Sequence, residues 1–149
     1  MKRMTAAVAC IVLSYARIWA QSPVDWNYSS KKIADKTYEI HLTARVSSPW
    51  HIYSQFTPAG GPIATKISFN KNPFVVRNNA IKEVGELQQH HEPLFGVDVK
   101  YFGGNVDFVQ VVTLKSGVKT NMSGNIEFMA CNDQECLPPK TISFTVQLK

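Results

Sequence analysis

Tyr38, Ile40, Leu42, Ala44 and Val46 alternate without a break with Glu39, His41, Thr43 and Arg45. A repeat of two lines one face of an extended strand, whereas a helical face repeats at 3.6. Shorter runs of strand character cover residues 50–53, 65–69, 97–102, 106–114, 125–131 and 141–148. Residues 25–28 and 81–87 raise the number of expected strands from seven to nine. Gly103-Gly104-Asn105 marks a turn between two of them. No stretch sustains a helical apolar period, and Pro and Gly recur at short intervals. The pattern predicts an all-β domain, an immunoglobulin-like antiparallel β-sandwich.

The first twenty residues follow a different logic. Lys2 and Arg3 precede an apolar stretch from Ala6 to Leu13, then another from Ala16 to Ala20. This is the order of a secretory signal peptide, with a cut expected after Ala20, although Arg17 and Ile18 are unusual so close to it. The apolar run falls short of the ~20 residues of a membrane span. Residues 1–20 are therefore read as signal and residues 21–149 as one domain. Cleavage removes Lys2, Arg3 and Arg17 but no acid, so 129 residues remain and the formal charge falls from +5 to +2. That length suits one core that folds without a staple. So small a charge gives no reason to expect nucleic acid, and no second apolar segment predicts a membrane span in the mature chain.

Two cysteines remain, in Cys131-Asn132-Asp133-Gln134-Glu135-Cys136-Leu137-Pro138-Pro139. Apolar runs on both sides read as antiparallel strands joined by a tight loop, which can set the cysteines opposite each other. Facing Cα atoms lie about 4.5–5.5 Å apart, within disulfide range. Such a bond can be made and broken without moving the frame. A staple across so short a loop removes little unfolded-state entropy, so exchange chemistry gains over a purely structural role. Asp133 and Glu135 disfavour a thiolate, and no Cys-x-x-Cys opens a helix. The expected couple is slow and depends on a partner to open the site. Cys136, before the stiff Leu137-Pro138-Pro139, is expected to be the more exposed sulfur, and Cys131, at a strand end, the more buried.

His90-His91 together with the cysteines are metal-ligand types, but their spacing matches no standard finger. Adjacent histidines on a strand also point to opposite sides. No metal and no cofactor is expected. Met122 and Met129 read as fillers, and Trp26 and Trp50 as core.

The segment Phe128-Met129-Ala130-Cys131…Cys136-Leu137-Pro138-Pro139-Lys140 resembles the active-site segment of the N-terminal periplasmic domain of DsbD, the thiol–disulfide interchange protein. The likeness extends to Trp50-His51-Ile52-Tyr53-Ser54, Gly60-Gly61-Pro62 and His91-Glu92-Pro93-Leu94-Phe95-Gly96. It implies a periplasmic, immunoglobulin-like domain acting as a protein-disulfide reductase component. A Cys131/Cys136 dithiol–disulfide couple would accept electrons from a thioredoxin-like donor and pass them to oxidised exported proteins. Cys136 matches the family cysteine that forms the intermolecular bond, leaving Cys131 to resolve it. Residues 91–96 match a loop that caps the cysteines, with Phe95 over the disulfide and His91 and Glu92 beside it; Tyr53 matches a tyrosine near the site. Only Glu92 is acidic in that loop, where the family often has adjacent acids. The transmembrane carrier and thioredoxin-like domain of the full interchange protein are not present in this sequence, so the donor is expected in trans. The alternative expectation is a non-catalytic sandwich module whose disulfide is structural.

Overall fold

A computed structural model of the chain describes residues 22–93 and 95–149. The expected signal peptide lies outside the described residues. The strands are β1 (Val24–Ala34), β2 (Thr37–Val46), β3 (His51–Tyr53), β4 (Lys66–Phe69), β5 (Val75–Gly85) and β6 (Gln88–Glu92), followed by β7 (Val97–Phe102), β8 (Asn105–Leu114), β9 (Thr120–Phe128), β10 (Ala130–Cys131) and β11 (Lys140–Leu148). They form three antiparallel sheets, ordered β1-β2-β8-β5, β10-β3-β7-β6 and β11-β9-β4. The architecture is an all-β, immunoglobulin-like sandwich. No helix among the described residues is long and apolar enough to cross a membrane.

The alternation read from the sequence builds the core directly. Ile40, Leu42 and Ala44 of β2 and Val106, Phe108 and Val112 of β8 are buried on one side. They share one cluster with Ile126 and Phe128 of β9 and with Phe144, Val146 and Leu148 of β11. Trp26 lies against Phe108 and Phe128, with ring centroids 5.8 and 5.4 Å away. Each large side chain fully buried in this way contributes about 1.5–3 kcal/mol. Trp26 and Trp50 both pack on this core, and Met122 lies within it. Gln110 of β8 is polar yet buried. Its Nε2 donates to the carbonyls of Asn78 (2.8 Å) and Val111 (2.9 Å), where β5 bulges away from β8.

Three features depart from the sequence reading. β1 runs on to Ala34 and β5 begins at Val75, both longer than expected because edge strands keep pairing where their own apolar pattern has faded. β6 was not anticipated, since Gln-Gln-His-His-Glu carries no apolar alternation; its backbone is held by pairing with β7. Gly103-Gly104 makes the expected turn, carrying the chain from β7 in one sheet to β8 in another. The run expected over 125–131 is broken at Met129. Ala130 and Cys131 are buried in succession, so the alternation slips there, and β10 leaves β11's partner to pair with β3.

That slip positions the cysteines. Lys140 pairs with Phe128 and holds the hairpin of β9 and β11, while Ala130 and Cys131 pair with Ile52 and His51. The cysteine loop therefore emerges where two sheets meet.

Candidate redox site

Cys131 and Cys136 are joined by a disulfide, with their Cα atoms 4.0 Å apart, and face each other as an antiparallel bridge. The four residues between them form a turn built by Asn132. Its backbone N–H donates to the Glu135 carbonyl at 2.9 Å, and its Oδ1 accepts from the N–H groups of Gln134 and Glu135, each at 2.8 Å. An asparagine side chain that bonds its own following backbone supplies a turn without help from packing. Beyond the disulfide, the Leu137 N–H donates to the Ala130 carbonyl at 2.9 Å, and the Leu137 side chain packs on the main core. Both ends of the loop are thus tied down around the S–S bond.

The two cysteines occupy unlike environments. Cys131 is 2% exposed and belongs to a small cluster with Tyr53 and Val99, flanked by Val97, Tyr101 and Met129. Cys136 is exposed. Both line an open cleft of about 380 Å³ with His51, Tyr53, His90, Glu92, Phe95 and the turn residues 132–135. An attacking group thus meets Cys136 in the open, while Cys131 is enclosed.

Tyr53 and His51 form the floor. Period-two alternation sends Ile52 into the sandwich core, where it is fully buried, and puts the two neighbours on the cleft side. His51 Nε2 and Tyr53 Oη share a hydrogen bond of 3.0 Å. The His51 ring also packs on Tyr101, centroids 4.7 Å apart, and Tyr101 meets His90 at 5.0 Å. Burial, with the nearby Glu92 carboxylate and Tyr101 adding to it, pushes the Tyr53 phenol up to about 12. Burial and the neighbouring His90 hold His51 below the usual imidazole range, with Asp133 and Glu92 pulling the other way. At neutral pH the floor is uncharged.

Phe95 stands at the rim, 43% exposed, in the turn between β6 and β7. The N–H groups of Phe95 and Gly96 donate to the Glu92 carbonyl at 3.2 and 2.8 Å, so the turn is closed on itself. Gly96 takes a positive φ of 67°, a conformation open to glycine at little cost. Glu92 faces the cleft and pairs with His90, Nε2 to Oε2, at 3.3 Å.

The structure does not bring His91 to the disulfide. Residues two apart share a strand face, so His90 and Glu92 turn inward and His91 outward. There its Nδ1 lies 2.9 Å from Oδ1 of Asp98, its cross-strand partner on β7, and both side chains are exposed. Cys131, Cys136, Tyr53, Glu92 and Phe95 gather in one cleft. His51 and His90 join them although the sequence reading gave neither a role. The signal lay in the alternation: a site role for Tyr53 implies the same face for His51, and a role for Glu92 implies the same for His90.

A family profile described as thiol:disulfide interchange protein DsbD, N-terminal, matches residues 18–148. No curated protein matches the sequence. The N-terminal periplasmic domain of ScsB from Proteus mirabilis has a similar fold, with a TM-score of 0.52 and 14% identity over 84% of this chain. The chain spans 44% of that structure. The reduced N-terminal domain of DsbD from Neisseria meningitidis has a TM-score of 0.50 and 11% identity, covering 80% of this chain and 82% of that one. Likeness at such low identity speaks for the fold alone.

Proposed function

The chain belongs to the family of N-terminal domains of the thiol:disulfide interchange protein DsbD, and from that footing we propose that Cys131 and Cys136 are its working couple. In this reading the domain acts in the periplasm, takes electrons from a thioredoxin-like donor supplied in trans, and passes them to oxidised exported proteins. A donor thiolate attacks Cys136 Sγ. A new S–S bond forms to the donor, the Cys131–Cys136 bond breaks, and its electron pair leaves on Cys131 Sγ as a thiolate. The donor's second thiolate then attacks the donor sulfur of the mixed disulfide and expels Cys136 as a thiolate, which is protonated in turn. The domain has gained two electrons and the donor has become a disulfide. Running the sequence backwards onto an oxidised protein passes the electrons on.

The observation that carries this reading is the asymmetry of the disulfide in its cleft. Cys136 is exposed, Cys131 is buried, and a phenylalanine stands at the rim. A disulfide kept only for stability has no need of an open approach to one sulfur. Attack on a disulfide depends on access and on which sulfur is reached, and here access favours Cys136.

The deciding measurement is the reduction potential of the purified domain, equilibrated with thioredoxin-like dithiol proteins. An exchanging couple equilibrates with them at a potential near theirs. A structural disulfide lies below about −300 mV and resists such donors, and that result would replace this reading with a binding module held by a static bond.

A further inference from the structure

His51 is the cross-strand partner of Cys131, the two residues facing each other where β3 pairs with β10. It lines the cleft that holds both sulfurs. We propose that His51 is the residue that handles charge at Cys131, by taking a proton when the thiolate leaves on that sulfur. The proposal rests on the exchange reading above, and adds to it a group for the step that places negative charge in a buried position.

Breaking the disulfide at Cys136 leaves the electron pair on Cys131, which is 2% exposed. A charge in so enclosed a place is costly unless it is paired or neutralised. Among the described residues lining the cleft, the charged or titratable side chains besides the cysteines are His51, Tyr53, His90, Glu92, Asp133 and Glu135. The three carboxylates repel a thiolate. Tyr53, pushed up to about 12, keeps its proton. His90 belongs to β6, which pairs with β7, and bonds Glu92 at 3.3 Å. His51 alone among these is paired in register with Cys131.

The hydrogen bond to Tyr53 suits a ring that changes charge. The Tyr53 hydroxyl can donate to an unprotonated Nε2 of the neutral ring and can accept from Nε2–H of an imidazolium. The 3.0 Å contact survives either state and keeps the ring in place. Before reduction His51 is surrounded by burial and by His90, which both oppose a charge, and by Glu92 and Asp133, which favour one; Tyr101 packs on its face. A thiolate appearing on Cys131 tips that balance, and His51 takes a proton from solvent. The sulfur gains a cationic neighbour, and the proton returns to solvent when Cys131 attacks the mixed disulfide in the reverse direction.

The test compares reduction of the wild type, His51→Gln and His90→Gln by one small thiol from pH 4.5 to 8. Taking the ratio of wild-type to variant rate at each pH cancels the ionisation of the reagent. Glutamine keeps a hydrogen-bonding group for Tyr53, and circular dichroism checks that each variant is folded. The ratio to His51→Gln is expected to rise about tenfold toward acid, as the protonated ring assists departure of the thiolate. His90→Gln should keep the acid-side assistance and move its onset to higher pH. Should His51→Gln fail to fold, His51→Asn replaces it. A flat ratio in domains that still exchange overturns the role of His51 and leaves the exchange reading intact. No exchange by the wild type with dithiol proteins sinks that reading itself.

Discussion

Gly61 lies beneath Val97 and Phe95 with no side chain between: a Cβ there would fall 2.8 Å from Val97 Cγ2 and 3.6 Å from Phe95 Cβ. The Gly60-Gly61-Pro62 segment therefore seats the turn that brings Phe95 to the disulfide. Gly61→Ala should force that turn outward, because the branched Val97 side chain has little freedom to retreat. The expected cost is about 1–3 kcal/mol, as for other overpacked sites. Reduction of Cys131–Cys136 by small thiols should accelerate several-fold. Chemical denaturation and stopped-flow reduction measure the two effects, and an unaltered reduction rate would separate Gly61 from the cap.

Phe95 is 43% exposed, so its removal should cost no more than about 1 kcal/mol. Phe95→Ala should raise the rate of small-thiol reduction by uncovering sulfur, without moving the equilibrium potential. A thioredoxin-like partner should gain less, because it displaces the turn itself on docking. Parallel rates and potentials for the two proteins make the comparison. Large destabilisation would mean that Phe95 serves the core instead.

Exchange through an exposed Cys136 and a buried Cys131 makes the two serine variants unequal. Cys131→Ser removes the resolving thiol and should accumulate mixed disulfides with a thioredoxin-like partner through Cys136. Cys136→Ser should accumulate few, since Cys131 is enclosed by Tyr53 and Val99. Non-reducing electrophoresis after mixing reads the yield. Equal trapping by both variants contradicts the assigned order of attack.

The sheets were legible where one residue in two is buried. β2 and β8 show their inward face in the sequence, and the structure puts Ile40, Leu42, Phe108 and Val112 there. β6 was not legible, because its place comes from backbone pairing with β7 and not from its own side chains. The break at Met129 was hidden for a related reason. An apolar run looks continuous whether or not the strand changes partners within it. The cysteine pair was plain from its spacing, and its opposed geometry followed from the turn formers between. Its surroundings were only half visible. His51 and His90 approach the disulfide from strands far apart in sequence, and nothing local in the chain says that β3 and β6 both flank β7. His91, expected beside the disulfide, is sent outward to Asp98 by the register, and His90 takes the inward place.

Tyr53 connects the site to stability at high pH. Its phenol is pushed up to about 12 in the fold, first by burial and then by Glu92 and Tyr101, against about 10 in an unfolded chain. Below pH 10 both states hold the proton and the fold is unaffected. Between pH 10 and about 12 the unfolded chain releases its proton while the folded one retains it, so stability falls as pH rises. Tyr53→Phe removes this titration, and the decline above pH 10 should become shallower. Some slope should persist, because burial and the nearby Asp25 also raise Tyr28. Urea unfolding of both proteins at pH 8, 9, 10 and 11 supplies the curves. Parallel curves across that range would show that the Tyr53 phenol ionises as readily in the fold as outside it, and the uncharged floor beneath the disulfide would have to be abandoned.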